Sequence, residues 1–164
     1  MLFKYFICIL VISTHLHCND DIKFKAKSLT IHLPDLIIAS GNTYFKNSDI
    51  DITSNEFTFN TKTNIGRFKS DVIAHYKNSK FSGDYFNIDN EKKHIFGRGN
   101  ISFKSPTLTA NSNHLKIQDF EVLTLMDNVK IQQNGSQINA DELIYNLMTD
   151  TIISNERIKL KISE

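Results

Sequence analysis

The chain has no tryptophan, only 2 prolines and 6 glycines, and 2 cysteines that both lie within its first eighteen residues. So little Pro and Gly excludes a low-complexity or disordered chain, which is rich in both. Cys8 and Cys18 leave everything after them without a thiol. An internal disulfide, a Cys-based metal site and a dithiol redox centre are therefore excluded from that region. A field of one sign is missing as well, because 19 Lys plus Arg stand against 18 Asp plus Glu. Non-specific nucleic-acid binding needs such a field, so no nucleic acid is expected as a partner. No apolar run reaches the ~20 residues of a membrane-spanning helix. No stretch repeats its apolar residues at helical spacing either, so helix should be minor.

What is present favours strands. The apolar residues are mostly Ile, Leu and Phe, with 12 Phe in 164 residues. Together with Thr they suit a pleated, half-buried surface. The length fits one domain, and about 145 residues beyond a leader suffice to bury a core without a covalent staple.

The first residues read as a targeting segment. Leu2 to Ile12 is apolar apart from Lys4, and Ser13, Thr14, His15 and His17 break the run. A basic start and a short apolar core fit a secretory signal, with cleavage after Cys18 and Asn19 as the new terminus. Residues 1–18 are thus expected to be a signal peptide, and 19–164 a single exported domain in the periplasm. Lipidation at Cys18 and retention of the segment as an anchor stay open.

The main feature is a repeat, and repeats decide architecture before anything else does. Five segments begin with a large apolar residue, then a polar one, then a small one. They are Phe24-Lys25-Ala26-Lys27, Ile52-Thr53-Ser54-Asn55, Phe81-Ser82-Gly83-Asp84, Leu108-Thr109-Ala110-Asn111 and Ile138-Asn139-Ala140-Asp141. Four of the five end in Asn or Asp. Apolar side chains return five and seven residues after each start: Leu29 and Ile31, Phe57 and Phe59, Phe86 and Ile88, Leu143 and Tyr145. The fourth unit departs, with Leu115 and Ile117 two residues late. Steps of two are strand spacing, but three residues separate the small residue from the next apolar one. A bend or bulge there returns both sets to one face, and one is expected in every unit.

Turn-forming clusters follow: Ser40-Gly41-Asn42, Lys69-Ser70-Asp71, Gly97-Arg98-Gly99-Asn100, Met126-Asp127-Asn128 and Ser154-Asn155-Glu156. Gly, Asn and Asp tolerate tight-turn backbone, so each is expected to lead into a second strand. The alternating residues Val72, Ala74 and Tyr76, Ile101 and Phe103, Val129 and Ile131, then Ile158, Leu160 and Ile162, face inward. Ser102, Lys130, Lys159 and Lys161 face water.

A thin unit cannot bury its own apolar face, so the units must stack. The expected fold is all-β: a repeat-built, V-shaped stack of antiparallel strands with open ends. The first unit, Phe24 to Phe45, and the last, Ile138 to Ile162, present unpaired edges, and edges invite strand addition. Phe24, Ile31, Ile158, Leu160 and Ile162 are the assembly-edge candidates. An apolar trough with a polar rim suits a ligand with several acyl chains, and Ile31, Phe57, Phe59, Phe86, Ile88, Leu115 and Tyr145 are the expected lining. For any one of these, an ordinary closed core is the simpler reading.

Catalytic patterns are weak. His32, His75, His94 and His114 are well separated, with no H-x-H or H-x-x-x-H pair. Gly97-Arg98-Gly99 lacks the third Gly of a nucleotide loop. Glu91-Lys92-Lys93 reads as a solvated hairpin tip. No Ser sits in a G-x-S-x-G context. Neither an enzyme, a metal nor a cofactor is expected.

The stretch from Asp119 to Gln133, with Asp127-Asn128 between two strand-like segments, resembles the recurring unit of the OstA-like family, to which the periplasmic protein LptA belongs. Ile138-Asn139-Ala140-Asp141-Glu142-Leu143-Ile144-Tyr145 resembles that family's I-x-A-D-x-L-x-Y strand, and Ser40-Gly41-Asn42 and Gly99-Asn100-Ile101 echo its Gly-Asn turn. The resemblance spans roughly Phe24 to Ile162, although Leu125-Met126 stands where the family often has Gly. It implies a β-jellyroll and lipopolysaccharide as ligand, with the lipid A acyl chains held between two sheets. It also implies head-to-tail pairing of edge strands with LptC-like and LptD-like OstA domains or with further copies, making a transport bridge between inner and outer membrane. The alternatives are an LptC-like membrane-tethered partner of the same system and a structural β-repeat protein that binds no lipid.

Overall fold

A computed structural model describes residues 23–46 and 50–153. The leader, the Ser154-Asn155-Glu156 turn and the strand expected at Ile158, Leu160 and Ile162 lie outside the described residues. The rest is strand and turn, with no helix among the described residues. The strands are β1 (Lys23–Lys25), β2 (Ser28–His32), β3 (Leu36–Lys46), β4 (Ile50–Asn60), β5 (Ile65–Tyr76), β6 (Ser79–Asp89), β7 (His94–Lys104), β8 (Thr109–Gln118), β9 (Val122–Gln133), β10 (Ser136–Asn146) and β11 (Thr151–Ile152). They form one open antiparallel sheet in chain order, with β1 and β2 sharing the free side of β3.

Each long strand is bent near its middle, which is where the repeat spacing requires it. The register shifts at Ser40/Thr43, Thr53/Glu56, Lys69/Val72, Ser82/Tyr85, Arg98/Ile101, Asn111/His114 and Ala140/Glu142. The bends line up across the sheet and fold it into two arms. The odd strands supply two consecutive left-handed residues: Gly41-Asn42 (φ 77° and 50°), Ser70-Asp71 (61° and 54°), Gly99-Asn100 (76° and 49°) and Asp127-Asn128 (63° and 57°). A single residue of the even strand stands opposite each pair, namely Asn55, Asp84, Asn113 or Asp141. Two residues against one is a β-bulge, which bends and twists its strand.

The turn expectation is corrected here. Four of the five clusters read as hairpin turns are these mid-strand corners. Gly, Asn and Asp are chosen for positive φ in both settings, so composition alone does not separate them. The true hairpin turns lie elsewhere. One set (33–35, 61–64, 90–93, 119–121, 147–150) forms a first rim. There the last residue of an even strand caps the turn: Asn60 Oδ1 accepts from Thr63 N (2.9 Å), Asp89 Oδ1 from Lys92 N (3.1 Å), and Asn146 Oδ1 from Met148 N (2.7 Å). The Lys92 backbone N–H, helped by the Lys92 ammonium at 3.3 Å, holds the Asp89 carboxyl below its usual range. These turns also bond to one another, Thr61 N to Asp35 O and Leu147 N to Glu121 O, both at 2.9 Å. Glu91-Lys92-Lys93 is an exposed tip of this rim.

The inward side chains form continuous cross-strand rows. One runs Ile31, Ile37, Phe59, Gly66, Ile88, Ile95, Ile117, Leu123, Tyr145 and Ile152. The next joins Leu29, Ala39, Phe57, Phe68, Phe86, Gly97, Leu115, Leu125 and Leu143. Beyond the corner, Phe24, Phe45, Ile52, Ala74, Phe81, Phe103, Ala110, Ile131 and Ile138 make a third. Every apolar pair of the repeat falls in the first two rows, so the strand phase is as expected. The alternating residues of β5, β7 and β9 are buried, while Lys130 is exposed. The third row corrects the repeat. Ala110, not Leu108, aligns with Phe81 and Ile138, so the fourth unit starts at Ala110-Asn111-Ser112-Asn113 and its apparent departure vanishes.

A test of the corners uses two glycines of like backbone. Gly135 has φ 81° with nothing within 4 Å of an added Cβ, whereas a Cβ on Gly99 (φ 76°) would stand 2.4 Å from Asp84 Oδ2. Asp84 accepts a bond from Asn100 Nδ2 at 2.9 Å. Alanine at either site carries left-handed strain of about 1 kcal/mol, and at Gly99 it also displaces Asp84. Urea unfolding should show Gly99→Ala less stable than Gly135→Ala by roughly 1 kcal/mol. Equal losses would mean that the corner contact contributes nothing.

Candidate functional site

The two arms meet at their rims, but with an offset. Tyr76, at the end of β5, meets Phe120 of the β8–β9 turn at 6.2 Å. Lys77 beside it reaches the Met148 sulfur in the β10–β11 turn. In the β7–β8 turn, Ser105 Oγ accepts from Tyr145 Oη of β10 at 2.9 Å, and Thr107 Oγ1 lies 3.1 Å from the same hydroxyl. A strand end of the second rim, formed by the turns 77–78, 105–108 and 134–135, thus covers first-rim strands three to five positions further along the sheet, as the twist of stacked strands requires. By this offset, the first-rim arm at β2–β4 would need cover from strands preceding β1. Among the described residues there are none.

Burial follows this geometry. Toward the C-terminal side Leu115, Leu123, Leu125 and Tyr145 are fully buried, each 0% exposed, and the Tyr145 hydroxyl is satisfied by its rim bonds. Toward β1–β4 the same inward rows stay partly open. Ile31 is 47% and Phe24 36% exposed, and Leu29, Ile37, Phe45 and Phe59 are half-buried. Five aromatic rings lie together at this end. Phe57 is 5.5 Å from Phe24, 4.7 Å from Phe68 and 6.4 Å from the nearly parallel Phe59, and Phe45 is 6.4 Å from Phe68.

The expected lining residues therefore divide into two groups. Ile31, Phe57 and Phe59 gather at the partly open end. Phe86, Ile88, Leu115 and Tyr145 are buried further along the stack. Ile37 and Phe45 also face the open end, although they belong to none of the apolar pairs of the repeat. Their signal is the alternation Ile37-Ala39, then Thr43-Phe45 after the corner, within β3. The edge residues Phe24 and Ile31 stand on β1 and β2, which have no neighbour beyond them among the described residues. At the far edge β11 covers only Tyr145 and Asn146 of β10.

Among the described residues, no charged side chain is buried in this interior. Near the corner the hydroxyls of Thr43, Ser54 and Ser112 are buried: Thr43 Oγ1 donates to Ser54 O (3.0 Å) and lies 2.6 Å from Ser54 Oγ, and Ser112 Oγ donates to His114 O (2.9 Å). His32 and His75 are exposed and His94 half-buried; His114 Nδ1 meets Asp127 Oδ2 at 2.6 Å on the outer face of the corner. No group of three His, Cys, Asp or Glu side chains that could hold a metal occurs among the described residues. A shallow outer depression is lined by Lys69, Asp84, Tyr85, Arg98, Asn100 and His114, with the Arg98 guanidinium 4.8 Å from the Tyr85 ring centre. None of the expected lining residues borders it. Among the described residues, the side chains of the inner rows are apolar apart from the Tyr145 hydroxyl.

Comparison with known proteins follows the same lines. Residues 23–151 match the family model described as LptA/(LptD N-terminal domain) LPS transport protein. Among solved structures, the chain is similar to LptH, the LptA-homologous periplasmic component of the lipopolysaccharide transport device of Pseudomonas aeruginosa. That similarity has 12% identity and a TM-score of 0.35, covering 87% of this chain and 94% of that one. No curated protein matches by sequence.

Proposed function

Since the chain belongs to the LptA/LptD N-terminal-domain family of lipopolysaccharide transport proteins, we propose that it is a periplasmic carrier that holds the lipid A acyl chains of lipopolysaccharide between its two arms. The observation that carries this reading is the uncovered inner face at β2–β4, where Ile31, Ile37, Phe45 and Phe59 remain accessible beside a five-ring aromatic cluster. Several acyl chains need a long apolar surface, and removing it from water is favourable by roughly 25 cal/mol per Å². Ile31 and Phe59 meet the ligand first, and the buried Phe57 (7% exposed) backs Phe59. Phe86, Ile88, Leu115 and Tyr145 continue the same rows and meet it only where the arms part. No energy-coupling site is involved, so partners drive movement and this chain is a passive conduit.

The bridge is completed by strand addition. An OstA-like domain adding its last strands to the free edge of β1 and β2 would supply the cover that the offset leaves missing. LptC-like and LptD-like domains, or a further copy of this chain, are the fitting partners at the two edges.

Site-specific photo-crosslinking in a lipopolysaccharide-producing host tests the reading. A photoreactive side chain at Phe59 should give a lipopolysaccharide adduct, and one at the exposed Lys130 should give none. A folded protein that yields no adduct at Phe59, Phe57 or Ile31 would move the structural β-repeat alternative to the front.

A further inference from the structure

The net charge of the chain is +1, but the fold sorts that charge by place. Four Asp residues, Asp71, Asp84, Asp127 and Asp141, stand at the corners. Asp35, Asp89, Glu91, Asp119, Glu121 and Asp150 line the first rim. The outer face of the second-rim arm is different. There Lys23, Lys25, Lys46, Lys80, Lys104 and Lys130 share the face with one carboxylate among the described residues, the half-buried Asp51.

The lysines are ordered within this face. Lys23, Lys46, Asp51, His75, Lys80 and Lys104 are successive cross-strand neighbours from β1 to β7. At about 4.8 Å per strand the row is about 24 Å long. Lys80 stands directly opposite Lys104, and Lys23 opposite Lys46. Like charges in directly opposed positions destabilise a sheet, so folding does not account for them. Edge protection by lysine accounts for Lys23 but not for Lys80 and Lys104, which lie on central strands. None of the row's lysines has an ion-pair partner among the described residues, whereas Lys92 on the opposite rim pairs with Asp89. Tyr44 and Ile73, half-buried on the same outer face, add a small apolar component beside the charges.

We propose that this face docks on an anionic phospholipid membrane surface through the Lys23–Lys46–Lys80–Lys104 row. A row of ammonium groups on successive strands, two of them opposite another lysine, is complementary to an array of phosphodiester headgroups. It has no concavity that would select a single phosphate. The chain belongs to a family that transports a lipid, and the phospholipid surface is the anionic array such a protein encounters. This docking is separate from carriage in the interior, because it uses the opposite side of the sheet.

The test is binding of the full chain to vesicles of phosphatidylcholine alone or mixed with phosphatidylglycerol, without lipopolysaccharide, so that carriage plays no part. Any apolar insertion by residues 2–12 contributes equally to both vesicles, and the preference for the anionic one is the readout. Each lysine near an anionic surface strengthens binding about five-fold. Lys80→Gln/Lys104→Gln should therefore lower the anionic preference by about 25-fold. Lys62→Gln/Lys93→Gln, the same loss of charge on the first rim, should leave it within about two-fold. The preference should shrink with added salt, and inorganic phosphate should compete no better than sodium chloride of equal ionic strength. Absence of any preference in the unaltered chain overturns the proposal. Equal losses in the two double variants assign the effect to net charge and overturn it too. Selective competition by inorganic phosphate would replace the membrane face with a single-phosphate site.

Discussion

Replacing Phe103 by alanine should remove about 3–5 kcal/mol of stability. Phe103 is 0% exposed in the middle of β7. Its ring stacks on Phe81 at 5.2 Å and takes the edge of Tyr145 at 5.2 Å. Phe81 is a cross-strand neighbour, but Tyr145 lies three strands further along the sheet. The side chain therefore ties the two arms together as well as filling one of them. Its loss removes the transfer free energy of a full aromatic ring and leaves a cavity that both arms would have to move to close. Phe96 is the internal control: it lies on β7 seven residues earlier, faces outward and is 39% exposed. Phe96→Ala should cost about 0.5 kcal/mol or less. Urea midpoints at unchanged slope measure both. Similar losses at the two sites would mean that β7 presents no preferred inner face and that the strand phase is wrong.

That phase was legible because a bent strand with one buried face writes two short period-2 patterns, three residues apart at the bend. Leu29 with Ile31, Phe57 with Phe59 and Leu143 with Tyr145 all lie in the inner rows for that reason. The bends of the even strands were legible from the repeat spacing, whereas the corners of the odd strands read as hairpin turns. A left-handed pair such as Ser70-Asp71 selects the residues that a hairpin turn selects, and only the pairing partner distinguishes them. The fourth unit was misphased because Leu108 is a better large apolar residue than Ala110. Local composition favoured Leu108, whereas the pairing of Ala110 with Phe103 and Ile131 decides the register. The unpaired edge of the first unit was legible from the stacking of repeats, but the uncovered inner face at β2–β4 was not. It follows from the offset between the rims, a property of accumulated twist over several strands. No window of sequence contains it. The lysine row is legible only after register is known, since its members are scattered from Lys23 to Lys104.

The same offset sets the second large effect, on ligand binding. Phe59→Asp should abolish the lipopolysaccharide adduct at a photoreactive residue placed at Ile31, while the protein stays folded. Phe59 and Leu123 occupy the same inner row, five strands apart in sheet order. Leu123 is 0% exposed and Phe59 half-buried beside the uncovered inner face. A carboxylate at 123 would be sealed in an apolar core with no cationic partner, at a cost of several kcal/mol, and Leu123→Asp should fail to fold. At 59 the carboxylate can turn to water, so the unliganded protein tolerates it. Acyl chains cannot follow it there. Seating them against Phe57 and Ile31 would strip water from the charge, and that desolvation opposes binding by more than the lost ring contacts alone. The uncharged Phe59→Leu separates the two contributions, since it keeps an apolar surface and should keep most of the adduct. Full adduct formation in a folded Phe59→Asp protein would place the acyl chains away from the uncovered face. The lipid path would then have to run through the closed side, past Tyr145.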